Sequence, residues 1–403
     1  MAAKKSKKHL LNPIPLIIVS RDDVLLLATI GMFEKTYSVQ LAGIGKEFFD
    51  IPTLVQDRGA EIVLLDMQML EGDIHQVELI TRSHLSRVIL IAEHKPSSLQ
   101  DCFKGMRYGA VDFILKEDLL AGKRNEAIKK ELLAKITGAA KLDTRVLAPT
   151  NDKLVKPKQA PPAQDDVVFC EDCGARNIFP PRKRGEMTPR HCAQCGDLLE
   201  NHLINRYKRT NYVSVIAAGP GSFRNLINII PKVPSDLSGA IIVVASGMIG
   251  HVDSLTRYLN EISAVDVLRI TTNSKVEGGN CYMAAADENF FMKPYSTSNK
   301  MERVRPTPPN GPVDIMMQSV SESFKHNSAG IFLSGDMIEG ENGLTFLKNN
   351  GGISAVLSFT NCIHKQMGEH ILRKCTVDKI VSEADATQFL TELHSETKNP
   401  ATA

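Results

Sequence analysis

Short apolar runs separated by amphipathic stretches constrain this chain more than any other feature. "PLIIVS", "EIVLLDM", "RVILIAE" and "DFILK" succeed one another in the first third, and "VSVIAA", "AIIVVAS", "CYMAAA", "NFFMK", "AGIFLSG" and "ISAVLS" follow from Tyr212 onward. Strands buried on both faces read as continuous apolar runs, and the helical patterns between them, such as "NEAIKKELLAKITGAAK" and "VDIMMQSVSESF", are the crossovers that parallel pairing needs. The predicted fold class is α/β, with two doubly wound parallel-sheet domains. Between the two blocks, "LDTRVLAPTNDKLVKPKQAPPAQDD" is rich in Pro, Lys and Ala and has no apolar period, so it reads as a linker. The expected organisation is a basic disordered tail over 1–13, a first domain over 14–135, a flexible linker over 136–165, a small Cys-containing module over 166–200, a second domain over 209–395 and a disordered tail over 396–403.

Composition narrows the partners. Lys+Arg of 48 against Asp+Glu of 46 leaves a net charge of +2, so no global field points to nucleic acid or a membrane surface. No stretch approaches the ~18 uninterrupted apolar residues of a membrane span. The N-terminal lysines do not make a signal peptide, because Pro13 and Pro15 interrupt the apolar run and Arg21-Asp22-Asp23 stands where a cleavage site belongs. Eight cysteines in 403 residues, four of them in two tight pairs, fit a reducing compartment, and the cytoplasm is the expected location.

Cys170-Glu-Asp-Cys173 and Cys192-Ala-Gln-Cys195 are Cys-x-x-Cys knuckles, each followed by glycine. A tight turn presents both thiolates of a pair to one ion, so Cys170, Cys173, Cys192 and Cys195 are expected to hold a structural zinc in a zinc-ribbon-like module. Two redox disulfides are the competing reading, weakened because neither pair opens a helix of a βαβ unit. His191 is an alternative ligand. The basic "PPRKRGEMTPRH" between the knuckles suits an acidic partner or nucleic acid, but no helix-turn-helix pattern supports a DNA-binding role, and nucleic acid is not expected as a partner.

"IVLLDMQMLEGD" and "GAVDFILKEDL" place Asp66 and Lys116 at the ends of two strands, and residues 14–135 resemble the receiver domain of two-component response regulators. The resemblance implies that Asp66 accepts a phosphoryl group from a histidine kinase, with Lys116 pairing to it and Mg²⁺ beside it. The family's acidic pair directly after the first strand is here Ser20-Arg21. Asp22 and Asp23, two positions late, are then the candidates to hold Mg²⁺ with Asp66, unless Arg21 takes the cation's place. The family's hydroxyl residue falls on Ala92 and its aromatic switch on Phe113.

"VIAAGPGSF", "IIVVASGM", "GGNCYMAAADENFFM", "GPVDIMMQSVSES", "GIFLSGDMIEGENGL" and "NGGISAVLSFTNCIHKQMGEHIL" resemble, in order, the catalytic domain of the CheB-type chemotaxis protein-glutamate methylesterases. The resemblance implies serine-based ester hydrolysis, yet the family's serine falls on Gly221, its histidine on Gly247 and its aspartate on Glu339, with Asp336 at the oxyanion-side methionine. Losing a nucleophile costs a serine hydrolase on the order of a millionfold in turnover. The expected function is therefore that of a chemosensory two-component signalling protein, with a receiver-like input and a catalytically degenerate methylesterase-like domain as a binding or regulatory platform for a chemoreceptor or another protein of the pathway. The alternative is an active methylesterase using a displaced triad of Ser222, His251 and Glu339 under control of Asp66. On the degenerate reading, Ser222 caps the helix beginning "FRNLINII".

Overall fold

The computed structural model describes residues 12–34, 36–84, 86–122, 126–143, 166–170, 173, 175–180, 188–199, 210–247, 249–294, 299–305 and 309–395. They fall into two compact units, Met1–Thr150 and Asn151–Ala403. In the first, β1 (Ile14–Val19), β2 (Val39–Gly45), β3 (Ile62–Asp66), β4 (Arg87–Ala92) and β5 (Asp112–Leu115) form a parallel sheet of order β2-β1-β3-β4-β5. The chain starts in the interior of this sheet and winds first one way and then the other, so the crevice between the carboxyl ends of β1 and β3 is a topological switch point. Val19 pairs with Leu65, and this register makes Ser20 and Asp66 neighbours beyond the strand ends. The helix Glu126–Ala139 runs past residue 135, where the linker was expected to begin.

The second unit opens with two hairpins. β6 (Asp166–Phe169) pairs with β7 (Arg176–Phe179), and β8 (Arg190–His191) with β9 (Leu198–Leu199), both antiparallel. There follow β10 (Val213–Ala218), β11 (Ala240–Ala245), β12 (Asp266–Arg269), β13 (Asn280–Ala285), β14 (Phe290–Pro294), β15 (Asn299–Arg303), β16 (Ser328–Phe332), β17 (Ile353–Leu357) and β18 (Lys379–Val381). Seven of these make a parallel sheet of order β12-β13-β11-β10-β16-β17-β18. β10, β11 and β13 are buried at every position, as their uninterrupted apolar sequences require. "NFFMK" is not part of this sheet: as β14 it pairs only with β15 in a two-stranded ribbon. β10 lies in the sheet interior with β11 on one side and β16 on the other, which puts a second switch point at its carboxyl end.

The opposite end of β10 is sealed by His394 from the C-terminal helix Glu383–Ser395. Its Nε2 lies 2.9 Å from the Ser214 hydroxyl, its ring 5.0 Å from that of Tyr212, and its carbonyl accepts from Ser238 at 2.7 Å. Burial drives the imidazole pKa down to about 3. A histidine with a folded pKa below its unfolded value binds fewer protons when folded, so its contribution is intact above about pH 6.5 and lost as the pH falls towards 3. The expected loss approaches about 1.4 kcal/mol per pH unit in that window. Urea denaturation at pH 7 and pH 5 should show this slope flattened in His394→Gln; an unchanged slope would assign the acid sensitivity elsewhere. Among the described residues, no helix is long and apolar enough to cross a membrane.

Candidate functional site

At the first switch point, Asp66 is 2 % exposed and Ser20 fully buried, and the Ser20 hydroxyl donates to Asp66 Oδ2 at 2.6 Å. Asp66 Oδ1 accepts from the Gln68 amide at 3.1 Å. Lys116 does reach this end of the sheet, but its ammonium sits 2.8 Å from Asp22 Oδ2. Burial works against the ammonium, yet the bond to Asp22 and the field of Asp66 outweigh it and raise the Lys116 pKa. Asp22 is lowered by Lys116 first, and then by the amides it caps: Oδ1 accepts from Val24 and Leu25 at the start of the helix Asp23–Phe33. Asp23 points elsewhere and pairs with Lys46. Arg21, considered above as a stand-in for the cation, binds Glu47 and Glu71 at the surface rather than Asp66. A cavity beside Asp66 is lined by Gln68, Glu93, Ser98 and Asp101. Phe113 is packed against Phe103, with ring centroids 6.1 Å apart, and Ala92 ends β4 without a hydroxyl.

At the second switch point the loops after β10, β11, β16 and β17 converge. Gly219 and Gly335 meet backbone to backbone: a Cβ on Gly219 would lie 2.6 Å from the Gly335 Cα. Gly221 has φ +78°, the left-handed turn of a strand-to-helix elbow, and a Cβ there would lie 2.9 Å from Ile363 Cβ and 3.0 Å from both His364 Cδ2 and Ser334 Oγ. Gly247 has φ +68°, and its Cβ would lie 2.7 Å from Cγ of the Pro220 ring. The space a side chain would enter at Gly221 and Gly247, the positions on which the sequence resemblance puts a serine and a histidine, is thus bordered by a rigid ring, a branched side chain and an imidazole.

Ser222, His251 and Glu339 border this region, and Ser222 and Glu339 each bond to other residues. The Ser222 hydroxyl is fully buried and donates to the Ser334 carbonyl at 2.6 Å. The residue does occupy the N-cap position of the helix Phe223–Ile229, but its side chain makes no capping bond, because the nearer carbonyl takes its proton. His251 directly precedes the helix Val252–Ile262, its ring 6.0 Å from Phe223. Glu339 accepts from Ser246 at 3.2 Å, and burial, with Asp314 adding to it, raises its pKa against that hydrogen bond. Asp336 is exposed just after β16. Pro220, His364 and Ser246 escape a sequence reading because their importance lies in which distant loop they touch.

The helix after the elbow is held by a buried carboxylate. Glu383 accepts from Asn225 at 2.6 Å and Asn228 at 2.7 Å, and lies 3.5 Å from the Arg224 guanidinium.

The four cysteine sulfurs lie within 4.8 Å of one another. Each Cys-x-x-Cys pair occupies the turn of one hairpin, with Cys170 N donating to Ala175 O and Cys192 N to Asp197 O. The closest sulfur pairs, Cys170–Cys195 and Cys173–Cys192, are 3.5 and 3.6 Å apart. A tetrahedral thiolate site with bonds of ~2.3 Å needs edges of roughly 3.8 Å, so this donor set can hold a metal. Asn177 ties the hairpins together: its Nδ2 lies 3.6 Å from Cys192 Sγ and its Oδ1 accepts from Ala193 N at 2.8 Å. His191 is exposed and faces the Gly196 carbonyl, outside the cluster. Gly174 and most of "PPRKRGEMTPRH" lie outside the described residues.

Residues 214–390 match the family model described as CheB methylesterase. The chain is 24 % identical over 349 residues to a protein-glutamate methylesterase/protein-glutamine glutaminase of Pyrococcus horikoshii, covering 85 % of this chain and 83 % of that one. It is 22 % identical over 390 residues to the Thermotoga maritima protein of the same name, covering 94 % and 98 %. Among solved structures, the T. maritima CheB methylesterase catalytic domain is similar at 23 % identity and a TM-score of 0.44, covering 46 % of this chain and all of that domain. The response regulator domain of T. maritima CheB is similar at 20 % identity and a TM-score of 0.28, covering 32 % of this chain and 98 % of that domain.

Proposed function

We propose that this chain, with its CheB methylesterase domain over residues 214–390 and its receiver-like first domain, is a chemosensory signalling protein whose esterase-type domain serves as a binding or regulatory platform. The input is the receiver-like domain around Asp66 and Lys116, through contact with a histidine kinase that does not require metal-assisted phosphotransfer to Asp66; the output partner is a chemoreceptor or another protein of the pathway, in the cytoplasm. Zinc on Cys170, Cys173, Cys192 and Cys195 fixes the fold of the intervening module. The observation that carries this reading is the occupied space at Gly221 and Gly247. A nucleophile and a base need room to approach within hydrogen-bond reach, and a displacement of about 1 Å already costs on the order of a hundredfold.

The second reading, an active protein-glutamate methylesterase using Ser222, His251 and Glu339, is favoured by the names of the relatives and by the three residues bordering one crevice end. Methanol release from a methylated receptor fragment separates the two. With the receiver left unmodified or treated with a small acyl phosphate, the platform reading expects no release above background, and Ser222→Ala changes nothing. Turnover that disappears in Ser222→Ala establishes the esterase instead.

A further inference from the structure

We infer that the Asp66 pocket does not take up a divalent cation, and that Ser20 is the residue that keeps it out. Mg²⁺ demands a near-octahedral oxygen shell at ~2.0–2.1 Å and is held by carboxylates with oxygens free to face it. Beside Asp66, where the β1–β3 register places the next side chain, this chain offers a neutral hydroxyl. That hydroxyl is already engaged: it donates its only proton to Asp66 Oδ2 and its oxygen accepts from the Asp22 amide at 3.1 Å. The only other nearby carboxylate on this loop that faces the pocket, Asp22, spends one oxygen on Lys116 and the other on two helix amides. Asp23 is withdrawn by Lys46, Glu93 pairs with Lys95 and Gln68, and Asp101, which also lines the cavity, pairs with Lys104 at 3.0 Å. A cation entering here displaces an ammonium and uncaps a helix, and gains no new charged ligand in return.

The donor set therefore does not fit the ion that the receiver resemblance implies. The inference concerns the receiver pocket alone, and an esterase domain that released methanol would leave it standing.

Calorimetric titration of MgCl₂ into the intact chain tests it, with Ser20→Asp and the double variant Ser20→Asp/Asp66→Asn alongside. The wild-type chain should give no saturable heat over the millimolar range. Ser20→Asp should give one, lost again in the double variant. Because Ser20→Asp sets two carboxylates side by side, thermal melting provides a second readout: Mg²⁺ should raise the melting temperature of Ser20→Asp and leave the wild type unmoved. Saturable wild-type binding that Asp66→Asn abolishes overturns the inference. A Ser20→Asp chain that neither binds nor is stabilised overturns the role given to Ser20.

Discussion

Stripping metal from the intact chain with a strong chelator should unfold residues 166–199 while the seven-stranded sheet beside them stays folded. The module's apolar core among the described residues is Cys170, Ala175, Cys192 and Leu199 with Phe179 against it, two of them metal-binding candidates themselves. So small a core cannot offset the conformational entropy of about thirty residues at ~1–2 kcal/mol each. A structural zinc on these cysteines, as proposed above, would supply on the order of 10–16 kcal/mol, and the fold of these hairpins would stand or fall with it. Thiol titration under native conditions reads the outcome. Cys102, Cys281 and Cys362 are buried, and for each burial raises the thiol pKa, for Cys281 and Cys362 to about 12. Chelation should therefore release the four clustered cysteines to rapid reaction and leave these three protected. Equal reactivity before and after chelation would mean that the hairpins fold without an ion.

Replacing Glu383 by alanine should cost about 3–5 kcal/mol, the range for breaking a buried ion pair on one side. The carboxylate and Arg224 are 9 % and 5 % exposed, and its loss takes the counter-charge from beside the guanidinium and an acceptor from Asn228 and from Asn225, which keeps the Asn361 carbonyl. Its position at the start of the helix Glu383–Ser395 adds the favourable end of the helix dipole. Glu383→Gln keeps an acceptor for one asparagine but sets an amide N–H against Arg224, so it should fall between wild type and alanine. Urea midpoints of the intact chain measure both; alanine within about 1 kcal/mol of wild type would show that the cluster contributes nothing beyond geometry.

Much of this architecture is legible in the chain because buried parallel strands need no partner to announce themselves. β1, β3, β4, β5, β10, β11, β13, β16 and β17 are apolar runs, and their ends place Asp66, Lys116 and Gly221 without further information. The missed strands share a cause: β2, β12 and β18 lie at sheet edges, half exposed, with glycines or charges breaking the apolar signal. The ribbon β14–β15 has the opposite defect, an apolar sequence that packs against the sheet domain's core without joining the sheet. Side-chain bonding was hidden for a different reason. Local pattern favours Ser222 as a helix cap, but the carbonyl that claims its proton lies 112 residues away, and the partners of Glu383 are 155 and more residues upstream. Periodicity reports which face a residue is on, and is silent about what meets it there.

The proline between the two glycines of the elbow links two loops into one steric unit. Once the Pro220 ring has settled against Gly247, a single substitution there meets a wall 2.7 Å away before any chemistry can be tried. A side chain at Gly221 meets a second wall from the loop after β17. Placing a side chain at either position therefore requires Pro220 or the 363–364 loop to yield first. The ring thus couples the two loops: neither elbow can take a side chain at these positions unless the other gives way.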